Sequence, residues 1–312
     1  MKIIGNPTTY GGKAIKKWPL YEKALKEANI DYEIEWTKAS QDGIRIAKEA
    51  SKDHELLAVF GGDGTVNEVV TGIGQTGFKN ILGIIPVGRG NDNAFNIRQT
   101  KNIEDIIEML QKKEYREIDC IKINNGARYC MGVAGVGLDA DVAEQVYNKG
   151  TNAVYNIALI KSFFRYRPRH LHIDVDDGKI VKDLKSLTTM IGNGQMVGSG
   201  MKVTPNAVID DGLLDVMIVG NTGIIESLIT SRRLGKGTHL TNPKIEVIRG
   251  KKVTITTEST KKIHGHAMGE YIGQLPVTFE CLYRVLKILK MSDAVLKREG
   301  WLNANTFSLN IK

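Results

Sequence analysis

Residues 56–69 read Leu56-Leu57-Ala58-Val59-Phe60-Gly61-Gly62-Asp63-Gly64-Thr65-Val66-Asn67-Glu68-Val69. The apolar run Leu56 to Phe60 predicts a buried strand, and a glycine-rich turn follows at once. Val66, Val69, Val70 and Ile73 then recur at helical spacing. Strand, glycine turn and helix form a geometry that holds phosphate. Glycines let the backbone approach a bulky anion, and unpaired N–H groups at the helix start face it. Asp63 is no phosphate ligand by itself, because like charges repel. It suits a metal ion, a ribose hydroxyl or the turn's own N–H groups. A tight turn with a capping Asp63 or Thr65 explains the same residues without a ligand. The pattern lacks both the GxxxxGK[ST] of a P-loop and the GxGxxG of a dinucleotide site.

A chain of 312 residues suffices for two domains, each with its own core. No apolar run is long enough to span a bilayer, and Met1-Lys2-Ile3-Ile4-Gly5 leads into a strand rather than a signal peptide. These features predict a cytoplasmic protein. Cys120, Cys130 and Cys281 fall in strand-like stretches without metal-ligand spacing, as expected of buried free thiols. The formal charge of +8 favours an anionic partner such as a nucleotide, an acidic lipid or nucleic acid. With no nucleic-acid motif and no base-reading basic helix, nucleic acid ranks last.

Outward from the central turn, strands alternate with helices. Ile3-Ile4 runs into Gly5-Asn6-Pro7-Thr8-Thr9-Tyr10-Gly11-Gly12-Lys13, a second glycine loop. A helix follows with Ile15, Trp18, Leu25 and Ala28 inward. Tyr32 to Trp36 alternates like a strand and ends at Thr37. Ser40 is placed to cap the next helix, with Ile44, Ala47 and Ala50 buried. Ile81 to Ile85 predicts another strand, followed by Pro86-Val87-Gly88-Arg89-Gly90-Asn91-Asp92-Asn93-Ala94-Phe95. Ile103, Ile106, Ile107 and Leu110 mark an amphipathic helix. This alternation predicts an α/β domain over residues 1–118 with a Rossmann-like parallel sheet covered on both faces. Its glycine loops, at 5–13, 61–65 and 88–92, all follow strands. Ligands of open α/β sheets sit at those carboxyl ends.

Asn6-Pro7, then Gly61-Gly62-Asp63-Gly64-Thr65, then Pro86-x-Gly88-x-Gly90-Asn91-Asp92-x-Ala94 resemble the diacylglycerol kinase catalytic domain. The likeness is closest to the bacterial soluble lipid kinases of that family, and it covers most of the chain. The TPTGSTAY-like segment of NAD kinases and the substrate motifs of phosphofructokinases are not found. The resemblance implies an ATP site built from Asn6, Pro7, Gly12, Lys13, Thr37, Gly61, Gly62, Asp63, Gly64, Thr65, Asn67, Glu68, Gly88, Arg89, Asn91 and Asp92. Arg89 departs from the family's usual threonine. An arginine there can clamp a triphosphate or a phosphorylated substrate, or close the pocket.

Residues 119–289 are strand-rich. Gly135-Val136-Gly137-Leu138-Asp139-Ala140 resembles the family's N-x-x-G-x-G-x-D-A segment in part, with Ala134 where a polar residue is usual. Helical stretches are predicted to about residue 149 and from Ala153 to Phe164. Arg165, Arg167 and Arg169 alternate with Tyr166, Pro168 and His170, either as a basic edge for anionic lipid headgroups or as a charge-guarded edge strand. Short alternating strands at 171–176, 186–192, 213–219, 244–248, 252–257, 276–280 and 284–289 predict a β-rich antiparallel sandwich. The tail, 290–312, with Val295, Leu296, Trp301, Leu302 and Phe307, is expected to pack back on the first domain.

The resemblance also implies a structural Mg²⁺ held by Asp211 and the carbonyls of Val208 and Leu213. A β-turn Asp-Gly is the plain alternative. The family's Asp-Gly-Glu corresponds to Met268-Gly269-Glu270, so Glu270 is implied as the catalytic carboxylate, with Asp63 as the second acidic group. His264 and His266 lie one residue apart. They serve as an alternative base, as metal ligands with Glu270, or as exposed strand histidines.

The expected activity is transfer of the γ-phosphoryl of ATP to a hydroxyl of diacylglycerol or a related lipid alcohol. Mg²⁺ and Asp63 would manage the triphosphate charge and Glu270 would accept the hydroxyl proton. Arg89 and Met268 motivate two alternatives: a same-fold kinase for a non-lipid or specialised alcohol, and a catalytically weak nucleotide- or lipid-binding paralogue. Expected partners are the lipid alcohol, an anionic membrane surface contacted transiently and peripherally, and a second copy of the chain as the candidate homodimer.

Overall fold

The apolar runs around the central turn pair as parallel strands. The structure, a computed structural model, describes residues 1–149 and 166–301. The chain divides into two compact units: Met1–Cys120 with Val208–Asp210 and Tyr283–Lys312, and Ile121–Ala207 with Asp211–Leu282.

The first unit contains β1 (Lys2–Gly5), α1 (Trp18–Glu27), β2 (Glu33–Trp36), α2 (Asp42–Ala50), β3 (Leu56–Gly61), α3 (Asp63–Gln75), β4 (Ile81–Pro86), α4 (Asp92–Asn96) and α5 (Ile103–Lys112). β1 pairs in parallel with β2 and β3, and β3 with β4, so their carboxyl ends share one edge. β3 and β4 are buried along their whole length, which is why they read as unbroken apolar runs. Phe60 takes edge-to-face contacts from Trp18, Tyr21 and Trp36, with centroids 5.2, 5.5 and 5.9 Å away. Tyr21, not Ile15, fills this core. Ile15 lies in a 3-10 turn before α1 and is exposed.

Ser40 does not cap α2. The helix begins two residues later, after a left-handed Gln41 (φ 69°). Glu68 reaches across from α3 and accepts the N–H groups of Gln41 and Gly43 at 2.8 and 2.9 Å. A carboxylate is a stronger acceptor than a hydroxyl, and it complements the helix dipole. Gly43, Ile46, Ala47 and Ala50 are buried on α2, while Ile44 is only half-buried. In the tail, the helix Asp293–Arg298 places Val295 and Leu296 in the core with Ile3 and Phe60. Arg298 donates to Asp105 and Arg98 to the Trp301 carbonyl, at 3.1 and 2.7 Å. Leu302 and Phe307 lie outside the described residues.

β5 (Tyr115–Ile123) leads into the second unit, which contains β6 (Arg128–Cys130), β7 (Val133–Gly137), α6 (Leu138–Lys149), β8 (Arg169–Val175), β9 (Ile180–Ser186), β10 (Thr188–Gly192), β11 (Met196–Val197), β12 (Met201–Lys202), β13 (Leu214–Val219), β14 (Ile245–Gly250), β15 (Lys252–Thr256), β16 (His264–Ala267) and β17 (Glu270–Gln274). β14-β13-β10-β7-β16-β17 form one antiparallel sheet. β9, β8 and β15 are also antiparallel in that order, and β15 pairs with the start of β18 (Val277–Leu289). Val136, Ile191 and Val216 share one core with Ile173, Val253 and Phe279.

Three sequence expectations change here. β8 lies between β15 and β9, so Arg169 and His170 do not stand on an edge strand. Residues 180–192 form two strands, β9 and β10, broken at Leu187. The stretches 276–280 and 284–289 are one strand, β18, whose Lys287 and Ile288 pair in parallel with Ile81 and Leu82 in the first unit. Arg165 and the helix expected over Ala153–Phe164 lie outside the described residues.

No helix among the described residues is long and apolar enough to cross a membrane. The cysteines are free, and burial pushes the Cys130 thiol up to about 12, with the Glu270 charge adding to it. His239 is fully buried, its Nε2 2.9 Å from the Val203 carbonyl, and burial lowers its pKa despite that hydrogen bond. The unfolded chain, with an ordinary imidazole at about 6.5, then binds protons that the native state rejects. Stability from this site is complete above about pH 6.5 and is lost as pH falls through the folded pKa. Denaturant midpoints measured from pH 7.5 to 5 should fall, and His239→Gln should flatten that slope.

Candidate functional site

At the carboxyl ends of β1, β3 and β4 the glycine loops meet. Gly62 and Gly88 touch backbone to backbone: a Cβ on Gly88 would stand 2.6 Å from the Gly62 Cα and 2.9 Å from Asn91 Oδ1. Only glycine permits that approach. Side-chain amides tie the loops further. Asn6 donates to Thr65 Oγ1 at 3.1 Å and accepts the Thr8 N–H at 3.0 Å. Asn91, itself left-handed at φ 59°, accepts the Gly88 N–H at 2.8 Å and donates to the Gly88 carbonyl at 2.9 Å. Asp63 accepts the Asn93 N–H at 2.8 Å. Of the partners its position suggested, it thus takes an N–H group, but one in the first turn of α4.

The N-cap of α3 is Gly62, which has no side chain with which to cap that end. Lys13 Nζ and the Arg89 guanidinium both lie over the Tyr10 ring, 5.1 and 5.5 Å from its centroid, and both are exposed. Two cations from separate loops converge on one aromatic ring, an arrangement suited to a polyanion. Both side-chain amide atoms of Asn93 are buried with no hydrogen-bond partner among the described residues. Tyr10 and Asn93 were not singled out by the sequence, since a lone aromatic or amide in a loop carries no periodic signal. Other expected site residues serve the fold. Glu68 caps α2, and Thr37 is buried with its N–H 2.8 Å from the Gly5 carbonyl. Asn67 and Asp92 are buried.

In the second unit, Met268-Gly269 joins β16 to β17 with φ of 49° and 79°. This is the left-handed pair of a two-residue hairpin turn, where Asn or Asp is preferred over Met. The left-handed backbone costs Met268 about 1–2 kcal/mol. Burying its side chain in the sandwich core offsets that by about 1.5–3 kcal/mol. Its N–H also donates to the Val133 carbonyl at 2.8 Å. The family's aspartate position is therefore filled by a thioether facing the core. Glu270 follows at the start of β17, paired with Ala267 and partly exposed.

Neither histidine is an exposed strand residue. His266 is buried: its Nδ1 accepts the Gly269 N–H at 3.1 Å and its Nε2 abuts the Asp139 carboxylate. His264 is mostly buried, 4.0 Å from the Glu144 carboxylate, with its ring 5.5 Å from Tyr271. Among the described residues no group of three or more His, Cys, Asp or Glu is placed to hold a metal, so His264, His266 and Glu270 form no metal centre. Burial alone would raise the Asp139 pKa. The His266 partner and the Thr188 hydroxyl outweigh it and hold the carboxyl below its ordinary range.

At the expected magnesium turn, Asp211 accepts the Leu213 N–H at 3.1 Å, and its other oxygen pairs with Arg249. Arg249 also donates to Asp215 at 2.6 Å. A guanidinium thus already neutralises this turn, and the set of Val208, Asp211 and Leu213 does not fit a resident ion without displacing Arg249. Arg249 lies far from the turn in sequence, and nothing local announces it.

Residues 1–123 match the model of the diacylglycerol kinase catalytic domain. Residues 132–290, just over half of the chain, match that of the YegS C-terminal NAD kinase beta sandwich-like domain. The chain belongs to this diacylglycerol kinase/YegS family. This kinase is a phosphotransferase with an alcohol group as acceptor. It is 28% identical over 298 residues to a diacylglycerol kinase of Staphylococcus carnosus (strain TM300), covering 94% of this chain and 95% of the relative. Identity is also 28%, over 302 residues, to a diacylglycerol kinase of Bacillus subtilis (strain 168), covering 92% and 95%. A crystal structure of a diacylglycerol kinase from Bacillus anthracis str. Sterne superposes on the kinase with TM-score 0.70 at 23% identity, covering 94% and 97% of the two chains. That likeness shows the fold.

Proposed function

We propose that this kinase transfers the γ-phosphoryl of Mg·ATP to the hydroxyl of diacylglycerol or a related lipid alcohol. The observation that carries the reading is the convergence of Lys13 and Arg89 over Tyr10, together with a glycine at the N-cap of α3. Main-chain N–H groups of the Gly61–Thr65 turn receive phosphate oxygens, and the two cations neutralise the triphosphate. The magnesium in this reading is the ion that ATP carries. Asp63 and Asn91 keep the loops in register, and Glu270 accepts the hydroxyl proton as the phosphoryl group transfers in line. The diacylglycerol kinases to which the chain is similar support the lipid acceptor. The charge of +8 supports transient contact with an anionic membrane surface.

A second reading, a specialised non-lipid alcohol, is favoured by Met268, whose buried side chain leaves Glu270 without the neighbouring aspartate. Radiolabelled ATP incubated with lipid extract and with a panel of small alcohols separates the two. Label in a phospholipid supports the first, label only in a soluble ester supports the second, and no transfer at all overturns both. Lys13→Ala and Arg89→Ala should each raise KM for Mg·ATP about tenfold, the worth of one charge-assisted hydrogen bond, with kcat nearly unchanged. Steady-state kinetics at varied ATP checks this.

A further inference from the structure

We propose that Asp139 and His266 form a positioning pair that fixes the Met268-Gly269 turn and so presents Glu270. The inference rests on the reading of Glu270 as the base. It joins two sequence segments, Gly135–Asp139 and His264–Glu270, that otherwise look unrelated. β7 pairs with β16 so that Gly135 lies opposite His266. A Cβ on Gly135 would stand 2.9 Å from His266 Nε2 and 2.8 Å from Met190 Sδ, so the glycine makes the space that the imidazole occupies. β7 then turns into α6, whose first turn carries Asp139. The Asp139 carboxylate meets His266 Nε2 on one oxygen and the Thr188 hydroxyl on the other.

The far side of the ring faces the turn. Gly269 donates its N–H to His266 Nδ1, which makes Nδ1 an acceptor and leaves the ring proton on Nε2, toward Asp139. The carboxylate selects the tautomer, and the tautomer selects the turn. The Met268 N–H is taken by the Val133 carbonyl. The two central residues of the hairpin turn are therefore both tethered, one to β7 and one to the imidazole. At Met268, where a left-handed backbone is disfavoured, such tethers decide whether Glu270 keeps one position. Nδ1 takes the Gly269 N–H and Nε2 abuts the Asp139 carboxylate, so His266 is a positioning residue and not a base.

The test uses the full chain. In the wild type, ¹⁵N spectra of His266 should show a protonated Nε2 and a bare Nδ1, and Gly269 amide exchange should be slow. His266→Ala and Asp139→Ala should each speed Gly269 exchange at least about tenfold. With Mg·ATP and diacylglycerol in phosphatidylglycerol vesicles, each should lower kcat about 10- to 100-fold, as small misplacements of a reacting group do, with KM for ATP unchanged. The double variant should be no worse than either single one. His266→Asn, which keeps an acceptor near Nδ1, should recover part of both readouts. A proton on Nδ1 in the wild type, unchanged Gly269 exchange in His266→Ala, or losses that multiply in the double variant would overturn the pair. If the wild type transfers phosphate to no alcohol, the kinase reading fails, while tautomer and exchange still decide the pair.

Discussion

Glu270→Gln should abolish transfer while leaving the nucleotide bound. The substitution keeps the size and removes the negative charge, and with it the ability to take a proton. General-base catalysis contributes roughly 10²–10⁴-fold, so kcat should fall by about that factor. The Kd for Mg·ATP should stay within about twofold, because the glycine loops belong to the other unit of the chain. Rapid-quench single-turnover kinetics would separate the chemical step from product release. Wild-type kcat in the Glu270→Gln variant would remove Glu270 from the mechanism and return attention to the acidic residues of the first unit.

The second large effect lies at Gly88. With its Cβ 2.6 Å from the Gly62 Cα, Gly88→Ala must force two backbones apart or distort the Asn91 clamp. Overpacking of this kind costs about 1–3 kcal/mol, which corresponds to roughly 5- to 150-fold in an equilibrium constant. Affinity for Mg·ATP should fall by that factor. Melting should shift by only a few degrees, because Gly88 itself contributes no side chain to a hydrophobic core. Unchanged affinity would mean that the meeting of these loops is only a folding contact.

The parallel half of the fold was legible because β3 and β4 are buried along their whole length and the loops carry glycine. Both signals are local and strong. The antiparallel half was harder. β18 was read as two strands, 276–280 and 284–289, yet it runs unbroken through Cys281, Leu282 and Tyr283 and past a left-handed Arg284 (φ 49°). The site was legible as a set of loops, not as a set of contacts. Glu68 looked like a ligand because it follows the glycine turn, yet its carboxylate caps a helix 25 residues away in sequence. His266 looked exposed because strand alternation cannot register that Gly135, on the neighbouring strand, opens a space for the ring. Arg249 and Asp211 meet across 38 positions, so a cation waiting for the magnesium motif was invisible from the motif itself. In each case the missing information was a partner brought in by tertiary folding.

Isothermal titration of the full chain with Mg²⁺ and a non-hydrolysable ATP analogue asks most directly whether strand-end loops grip a triphosphate. Saturable heat at one site per chain, much weakened by Gly88→Ala and by Lys13→Ala with Arg89→Ala, is the expected result. Absence of heat, or heat indifferent to all three substitutions, would contradict it.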